Sequence, residues 1–288
     1  MKYIIFKNLE KIYLKKFLIK HSISARSYSD LIKKGILVND KAVFNNVQLI
    51  DGDIIKIKIE QEEIDYMPIK GDIDIVYEDE NIIVLNKPSG LTVNSKNQIS
   101  LSNYLAYYFQ KSNIKAKIRL INRLDMNTSG LMMVAKNKYA QAFYQKEIEE
   151  NRIEKKYLAY VEGSLNIDAL YKIKLMYDEN SKSYIENNNG RLAITYFNTQ
   201  KANAKYSLIE CLIKTGKTHQ IRASLKNMGH PIIGDVLYGS NYKLERFLLH
   251  SYYLAFKEFM TQETIILENI ADFKPFIISL WKVFSCIF

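Results

Sequence analysis

The apolar positions fall into two periodicities that divide the chain. In YLKKFLIKH, residues 13–21, Leu14, Phe17 and Leu18 recur at helical spacing and predict a first helix. Ser24 can cap a second helix, ARSYSDLIKK, and Gly35 can end it. ILVND follows as a short strand and turn. In DGDIIKIKIE the period changes to two: Ile55, Ile57 and Ile59 share one face and Lys56 and Lys58 the other, the pattern of a half-buried strand.

Further along, IDIVYEDENIIVLNKPSGLTVN predicts two strands joined by a tight acidic turn at Glu78 to Asn81, then a second turn at KPSG. Residues 101–116 have helical character. KYLAYVEG, LAITYFNTQ and KYSLIECLIK are expected strands. No fixed repeat is present. Consecutive strands without regular helical crossovers predict an α+β fold, with a mixed, largely antiparallel sheet in the larger domain. A small N-terminal α/β domain precedes it.

Charge sharpens the boundary. Residues 1–60 carry twelve Lys and Arg against six Asp and Glu, whereas QEEIDYMPIKGDIDIVYEDE, residues 61–80, carries eight acids and one lysine. Pro68 and Gly71 lie where the sign changes. The expected organisation is an N-terminal domain over 1–61, a linker over 62–71 and a larger domain over 72–288. Over all 288 residues the formal charge is +10, from 41 Lys and Arg against 31 Asp and Glu. Such an excess suits an anionic partner, nucleic acid or a membrane surface. The lysine-rich composition also fits an AT-rich genome, which discounts part of that signal.

The remaining composition mostly excludes. With 48% hydrophobic and 25% charged residues the chain reads as a soluble globular protein. Two cysteines, Cys211 and Cys286, form neither a zinc spacing nor a disulfide framework, so a reducing cytoplasm is expected. The first residues lack the apolar run of a signal peptide. FIISLWKVFSCIF at the C-terminus is too short to span a bilayer and is expected to be a helix docked on the core. GKTH at Gly216 is no phosphate loop, because Cys211 stands where that motif needs glycine. The acids around Asp72 and Asp74 fail as a calcium loop, with Tyr77 at the glycine position. Four histidines without paired spacing offer no metal site.

INRLDMNTSGLMMVAKN, residues 121–137, presents a puzzle. Arg123 and Asp125 sit at the head of an apolar run, where an unpaired carboxylate is costly. One reading is a capped turn, with Asp125 bonding backbone N–H groups before Gly130 and with Asn127, Thr128 and Ser129 assisting. The other is a carboxylate held ionised at the edge of a cleft, available as nucleophile or base. Arg26, Lys33 and Lys34, on or beside the second N-terminal helix, are similarly either a solvated face or contacts for a phosphate backbone.

Family resemblance bears on both choices. RLDMNTSGLMMVAKN closely resembles the R-L-D-x-x-T-S-G-L signature of the RluA-type RNA pseudouridine synthases. In the family's order, DIVYEDENIIVLNKPSGLTV is similar to its strand pair and K-P-x-G turn, and KKYLAYVEG to its K-x-Y-x-A-x-V-x-G strand. KTGKTHQIRASLKNMGHPIIGDVLYG resembles its T-G-x-T-H-Q-I-R segment with G-H-P-I-x-G-D-x-x-Y-G, and LLHSYYLAF its late L-H-x-x-x-L-x-F strand. The match covers about residues 72 to 258. Departures are Asn122 and Asn94 where the family usually has histidine, and Lys217 for a usual arginine. SISARSYSDLIKKGILVND with DGDIIKIKI resembles the RNA-binding domain named after ribosomal small-subunit protein four, here the S-four domain, over about residues 12–60.

The resemblance implies the pseudouridine synthase fold and isomerisation of uridine within structured RNA, with large-subunit ribosomal RNA favoured over tRNA. The glycosidic bond to N1 breaks, the uracil turns, and carbon-5 bonds to the ribose. No redox partner or donor is needed, so no cofactor or metal is expected. Neither a membrane nor a protein partner is implied, and a monomer is expected. By resemblance Asp125 is the essential carboxylate, Arg222 its guanidinium partner, and Tyr157 the aromatic against the base, whose hydroxyl lies where it could help remove the carbon-5 proton. Arg123 is a candidate for holding open the flipped base's stack. Thr128 is a candidate substrate contact, and His219 and Gln220 are candidates to orient their loop or touch RNA. Arg26, Lys33 and Lys34 would meet the RNA backbone. Two other readings use the same residues: a non-catalytic RNA-binding or ribosome-assembly factor, and a hydrolase acting on free nucleosides.

Overall fold

The computed structural model describes residues 2–95, 97–270 and Phe273. The C-terminal segment expected to form a docked helix lies outside these residues.

The N-terminal unit begins with β1 (Tyr3–Lys7), β2 (Ile12–Tyr13), α1 (Leu14–Lys20) and α2 (Ala25–Lys34). Four short strands follow: β3 (Ile36–Val38), β4 (Lys41–Val43), β5 (Gln48–Leu49) and β6 (Ile54–Lys58). The Ser24 hydroxyl accepts from the Ser27 N–H at 3.1 Å, capping α2, and Gly35 ends it at φ +86°. Asn39 and Asp40 both take positive φ and make the two-residue turn between β3 and β4. Strands β1, β6, β3 and β4 form one sheet in that order, and β2 pairs with β5. Ile55 and Ile57 are buried, as the alternation requires.

The larger unit contains β7 (Asp74–Glu78), β8 (Ile82–Lys87), α3 (Leu101–Lys111), β9 (Arg119–Leu120), β10 (Ser129–Ala135) and α4 (Lys138–Glu149). It continues with β11 (Glu154–Glu162), β12 (Asp168–Asp178), β13 (Ser183–Glu186), β14 (Arg191–Ala202) and β15 (Tyr206–Ile213). After α5 (Gln220–Asn227) come β16 (Leu249–Lys257) and β17 (Thr264–Glu268). The sheet runs β13-β12-β14-β15-β11-β16-β10-β8-β7, with β17 beside β16 and β9 beside β10. Its pairings are antiparallel except for β10 against β16. This is the mixed, largely antiparallel architecture that the order of strands predicts. β8 and β10 are central and buried on both faces, which is why IIVL and LMMVA are continuous apolar runs.

Two details differ from expectation. The helix expected over 101–116 stops at Lys111, because Asn113 turns to φ +54° and the Ile114 N–H bonds back to the Phe109 carbonyl. The hairpin of β12 and β13 was not among the expected strands, although Tyr171, Ile173 and Leu175 alternate as a strand should.

The segment over 62–71 lies fastened to the larger unit. Glu62 pairs with Arg119 at 2.6 Å, Asp65 accepts from the Ile118 N–H at 2.8 Å, and Asn103 donates to the Met67 carbonyl at 3.0 Å. Apolar packing joins the two units as well: Phe259 lies edge-on to Phe6 at 5.4 Å and 5.1 Å from Phe143 of α4. Among the described residues no helix is long and apolar enough to cross a membrane.

Candidate active site

Asp125 sits on the loop entering β10, and that loop is pinned from beneath. Lys87, at the end of β8, is fully buried, and its ammonium donates to the carbonyls of Pro88, Leu91 and Met126 at 2.7, 2.8 and 2.9 Å. It thereby ties the KPSG turn to the residue after Asp125. Burial lowers its pKa to about 8, helped by Arg246 and opposed by Asp125. Ser89 donates to the Asn127 carbonyl at 2.8 Å, and the Asn122 side-chain oxygen accepts from the Met133 N–H at 2.8 Å. Asparagine at 122 thus holds the turn back onto β10.

Gly130 allows the close approach behind the carboxylate. It has φ +115°, and a Cβ there would lie 2.2 Å from the Ser251 carbonyl oxygen. The parallel register Ser129↔His250 and Gly130↔Ser251 depends on that missing side chain. Beside it the His250 Nε2 faces the Asn269 carbonyl at 2.7 Å and must donate. Its Nδ1 therefore accepts from the Ser129 hydroxyl at 2.7 Å, which in turn accepts from Arg246 at 2.8 Å. Burial holds the His250 pKa down to about 4, so the ring is neutral.

Ninety-seven residues beyond Asp125, the buried α5 brings in Arg222. Its Nη1 donates to Asp125 Oδ2 at 3.0 Å. Its Nε and Nη2 donate to the two oxygens of Asp235 at 2.7 and 2.9 Å. The ring of Phe247 lies 4.4 Å from the guanidinium carbon and that of Tyr238 4.9 Å. Burial alone would weaken the guanidinium's charge, but Asp235 and Asp125 outweigh it and keep the pKa above its ordinary value. Asp235 is 2% exposed, so both the orientation and the charge of Arg222 are fixed. Asp125 Oδ1 has no protein partner among the described residues and remains available for chemistry.

His219 caps this cluster. Its Nε2 is 3.8 Å from Asp125 Oδ2 and its Nδ1 3.0 Å from the Tyr238 hydroxyl. That hydroxyl accepts from the Tyr184 N–H at 2.9 Å and also lies 3.4 Å from the Tyr184 carbonyl, to which it can donate. Burial lowers the His219 pKa, with Asp125 opposing, and the ring is neutral. It holds a left-handed conformation, φ +55°, at the start of α5, a strained position for a non-glycine residue.

Tyr157 of β11 stands opposite Ser251, near enough to Asp125 to feel its charge. Burial pushes its phenol pKa well above the usual value, a hydrogen bond with Ser251 pulls it back and the charge of Asp125 adds to the rise. The group is a neutral phenol rather than a phenolate.

The sequence candidates therefore separate. Asp125, Arg222, Tyr157 and His219 come together. Arg123 is exposed at the rim without an ion pair among the described residues. Thr128 and Gln220 are both buried. Thr128 is 2% exposed, its N–H closing the turn onto the Asp125 carbonyl at 3.1 Å. Gln220 spends its amide inside the fold, donating to Ile194 and Thr195 and accepting from Thr215 and Lys217, which leaves it the loop-orienting role. Arg26, Lys33 and Lys34 are exposed on α2, far along the chain from this pocket, and Lys34 pairs with Glu60. Asp235, Lys87 and Tyr238 were missed. Asp235 and Tyr238 lie in the G-D-x-x-Y-G run and Lys87 in K-P-x-G, so motif membership was the available signal. Among the described residues no group of three or more His, Cys, Asp or Glu side chains could hold a metal ion.

Comparison with known proteins agrees with this geometry. The family model for RNA pseudouridylate synthases matches residues 81–227. The uncharacterized RNA pseudouridine synthase YhcT of Bacillus subtilis (strain 168) is 34% identical over 81% of this chain and 80% of its own length. Ribosomal large subunit pseudouridine synthase D of Neisseria meningitidis (serogroup A, strain Z2491) is 33% identical over 73% of this chain and 58% of its own. Among solved structures, human RNA pseudouridylate synthase domain containing 1 shares the fold, with a TM-score of 0.60 and 24% identity over 72% of this chain and 86% of that one. A buried guanidinium clamping a loop carboxylate, on a sheet of this topology and within a matched segment of this length, has one consistent meaning: the chain belongs to the RNA pseudouridylate synthase family, whose members isomerise uridine to pseudouridine within RNA.

Proposed function

We propose that this enzyme modifies uridine in large-subunit ribosomal RNA, with Asp125 as its essential carboxylate. The observation that carries the reading is the Arg222–Asp125 contact at 3.0 Å with Asp235 behind it. It holds Oδ2 in place and leaves Oδ1 directed to the sugar of an everted nucleotide. Removing a base from its stack costs a few kcal/mol, and Arg123 at the rim supplies a cation to fill or brace the gap. Tyr157 lies against the uracil and, as a neutral phenol, passes a proton rather than acting as a standing base at carbon-5. His219 stands 3.8 Å from the same oxygen, Oδ2, and adds to its support. Ribosomal RNA is favoured because relatives of this similarity are named for the large ribosomal subunit.

The N-terminal unit, in this reading, is an S-four-type RNA-binding domain. Its exposed Arg26, Lys33 and Lys34 contact the phosphate backbone, and its packing against Phe259 sets their distance from the pocket. The enzyme works in the cytoplasm as a monomer, which cell fractionation and sedimentation of the purified chain check.

The test is release of tritium from a transcript of large-subunit ribosomal RNA labelled at carbon-5 of uridine. Wild type should release it, and Asp125→Asn should release none while still binding the transcript. Full activity in that variant would overturn the assignment of Asp125. Carbodiimide-dependent primer stops in RNA from cells with and without the gene then locate the target.

A further inference from the structure

Asp235 and Tyr238 stand three residues apart in one tight turn, a 3-10 turn over Val236–Tyr238 in which the Tyr238 N–H bonds back to the Asp235 carbonyl at 3.0 Å. Residues at that spacing share a face of such a turn, and both of these reach Arg222. Asp235 takes its Nε and Nη2, and the Tyr238 ring lies 4.9 Å from its guanidinium carbon. Tyr238 is 4% exposed and belongs to a small apolar cluster with Ile173 and Leu175 of β12, Ala193 of β14 and Ala223 of α5. A phenylalanine would fill that space equally well. What distinguishes tyrosine is the hydroxyl, and a buried phenol oxygen is costly unless it is hydrogen-bonded.

That oxygen meets two elements. One is the hairpin of β12 and β13. β13 ends the sheet, and the N–H and carbonyl of Tyr184 turn to Tyr238 instead of to another strand, at 2.9 and 3.4 Å. The other is His219, whose Nδ1 lies 3.0 Å away in the only hydrogen bond of that ring among the described residues. The rings of Tyr184 and Tyr238 meet the imidazole edge-on, with centroids at 5.5 and 5.7 Å. His219 needs such support: it holds φ +55°, and a strained backbone persists only where its surroundings fix it. Its Nε2 stands 3.8 Å from Asp125 Oδ2. Burial pushes the Tyr238 phenol up to about 12, so the hydroxyl keeps its proton and is able to donate as well as accept.

We propose that Tyr238 is a positioning residue of the reaction: from the edge of β13 its hydroxyl fixes the imidazole of His219 beside Asp125, while its ring backs Arg222. The proposal rests on the reading of Asp125 as the essential carboxylate. Tyr238 acts through His219 and Arg222 rather than on the uridine. Because one oxygen serves both the hairpin and the imidazole, the seat of the hairpin and the place of His219 are set together. Removing the hydroxyl should loosen His219 and leave Arg222 paired with Asp235 and Asp125.

The experiment compares Tyr238→Phe, His219→Gln and the double variant with wild type. KM and kcat are measured separately on the tritium-labelled transcript of large-subunit ribosomal RNA, and the histidines are titrated by NMR. The chain has four, His21, His219, His230 and His250, so the His219 signal is identified by its loss in His219→Gln. In Tyr238→Phe kcat should fall about three- to tenfold with KM close to that of wild type. On the His219→Gln background the same change should cost less than about twofold more. The titration of His219 should move by about half to one pH unit while the other three histidines stay in place. Asp125, Arg222 and Asp235, the charged groups that act on His219, are the same in both proteins, so the displacement reports the hydroxyl. An unmoved His219, or wild-type kcat in Tyr238→Phe, would overturn the proposal. So would displacement of all four histidines with kcat and KM impaired together, which marks a tyrosine serving the fold alone. Because the titration is read without turnover, a wild type that releases no tritium would sink the enzymatic reading while His219 still decides whether Tyr238 holds it.

Discussion

The catalytic cleft and the N-terminal unit are both rich in charge, and they handle it in opposite ways. In the cleft Arg222 and Asp235 are almost sealed from solvent, with side chains 7% and 1% exposed, and Arg222 reaches a partner 97 positions away in Asp125. In the N-terminal unit Lys20 meets Glu10 and Lys56 meets Asp40, ten and sixteen positions apart, and at least one member of each pair is well exposed. Water competes for the second kind of pair and is shut out from the first. The same residue types therefore build a rigid, preorganised site in one place and an adaptable polyelectrolyte surface in the other.

The largest effect should come from breaking the buried side of this contrast. Arg222→Met keeps volume but strands Asp235 as an unpaired buried carboxylate, at a cost of about 3–5 kcal/mol in denaturant unfolding. It also frees Asp125 Oδ2, so kcat should fall by at least roughly 10²–10³-fold. A variant of wild-type stability would mean that the cluster is wetter than its geometry indicates. Next comes the apolar joint between the two regions. Phe259→Ala removes the ring between Phe6 and Phe143 and should cost about 3–5 kcal/mol. If the units are coupled through it, proteolysis between residues 58 and 74 should accelerate in that variant.

Acid should discriminate the regions further. His250 is neutral in the fold with a pKa of about 4 against an ordinary 6.5, so the folded state binds fewer protons than the unfolded one between those values. Its stabilising contribution is complete above pH 6.5 and is lost as pH falls through about 4. The gap of about 2.5 pH units corresponds to ~3 kcal/mol. His21, stacked between Phe6 and Phe17 and also held at about 4, adds a loss of the same sign in the N-terminal unit, smaller because it is partly exposed. Melting curves from pH 7 to 4 should steepen below 6.5, and His250→Gln should flatten most of that dependence.

Much of this organisation was legible along the chain, and the exceptions share a cause. The Ser24 cap, the Asn39–Asp40 turn, the alternation in β6 and the two-faced burial of β8 and β10 are local, and local patterns report them. Asp125, Tyr157 and Arg222 were legible through ordered motifs. What stayed hidden is what a side chain does after the chain folds back. Gln220 and Thr128 sit in the motif beside residues that face the pocket, but point into the protein. Asp235 lies thirteen positions after Arg222, across the turn at Gly229, so their pairing exists only once that turn is made. Lys87 defeats hydropathy outright, because a lysine in a strand reads as exposed until the carbonyls around it can be counted.

The smallest expected effect tests the exposed side of the contrast. Glu60 pairs with Lys34 of α2 and, at 3.2 Å, with Lys138 of α4, so it bridges the two units, but all three side chains are 45% exposed or more. Both lysines lower the Glu60 pKa, Lys34 first. Screening by solvent limits such a bridge to less than about 1 kcal/mol. A double-mutant cycle with Lys34→Ala and Glu60→Ala should therefore give a coupling energy below that value, falling further at 1 M salt. If Lys34 contacts RNA as proposed, affinity should respond more than stability: Lys34→Ala should shallow the salt slope, whereas Glu60→Ala should leave affinity equal or higher. A coupling energy of several kcal/mol would place this pair in the same class as the Arg222 cluster. The N-terminal unit would then be clamped by charge as well as by Phe259, rather than free to adapt its basic face to the RNA.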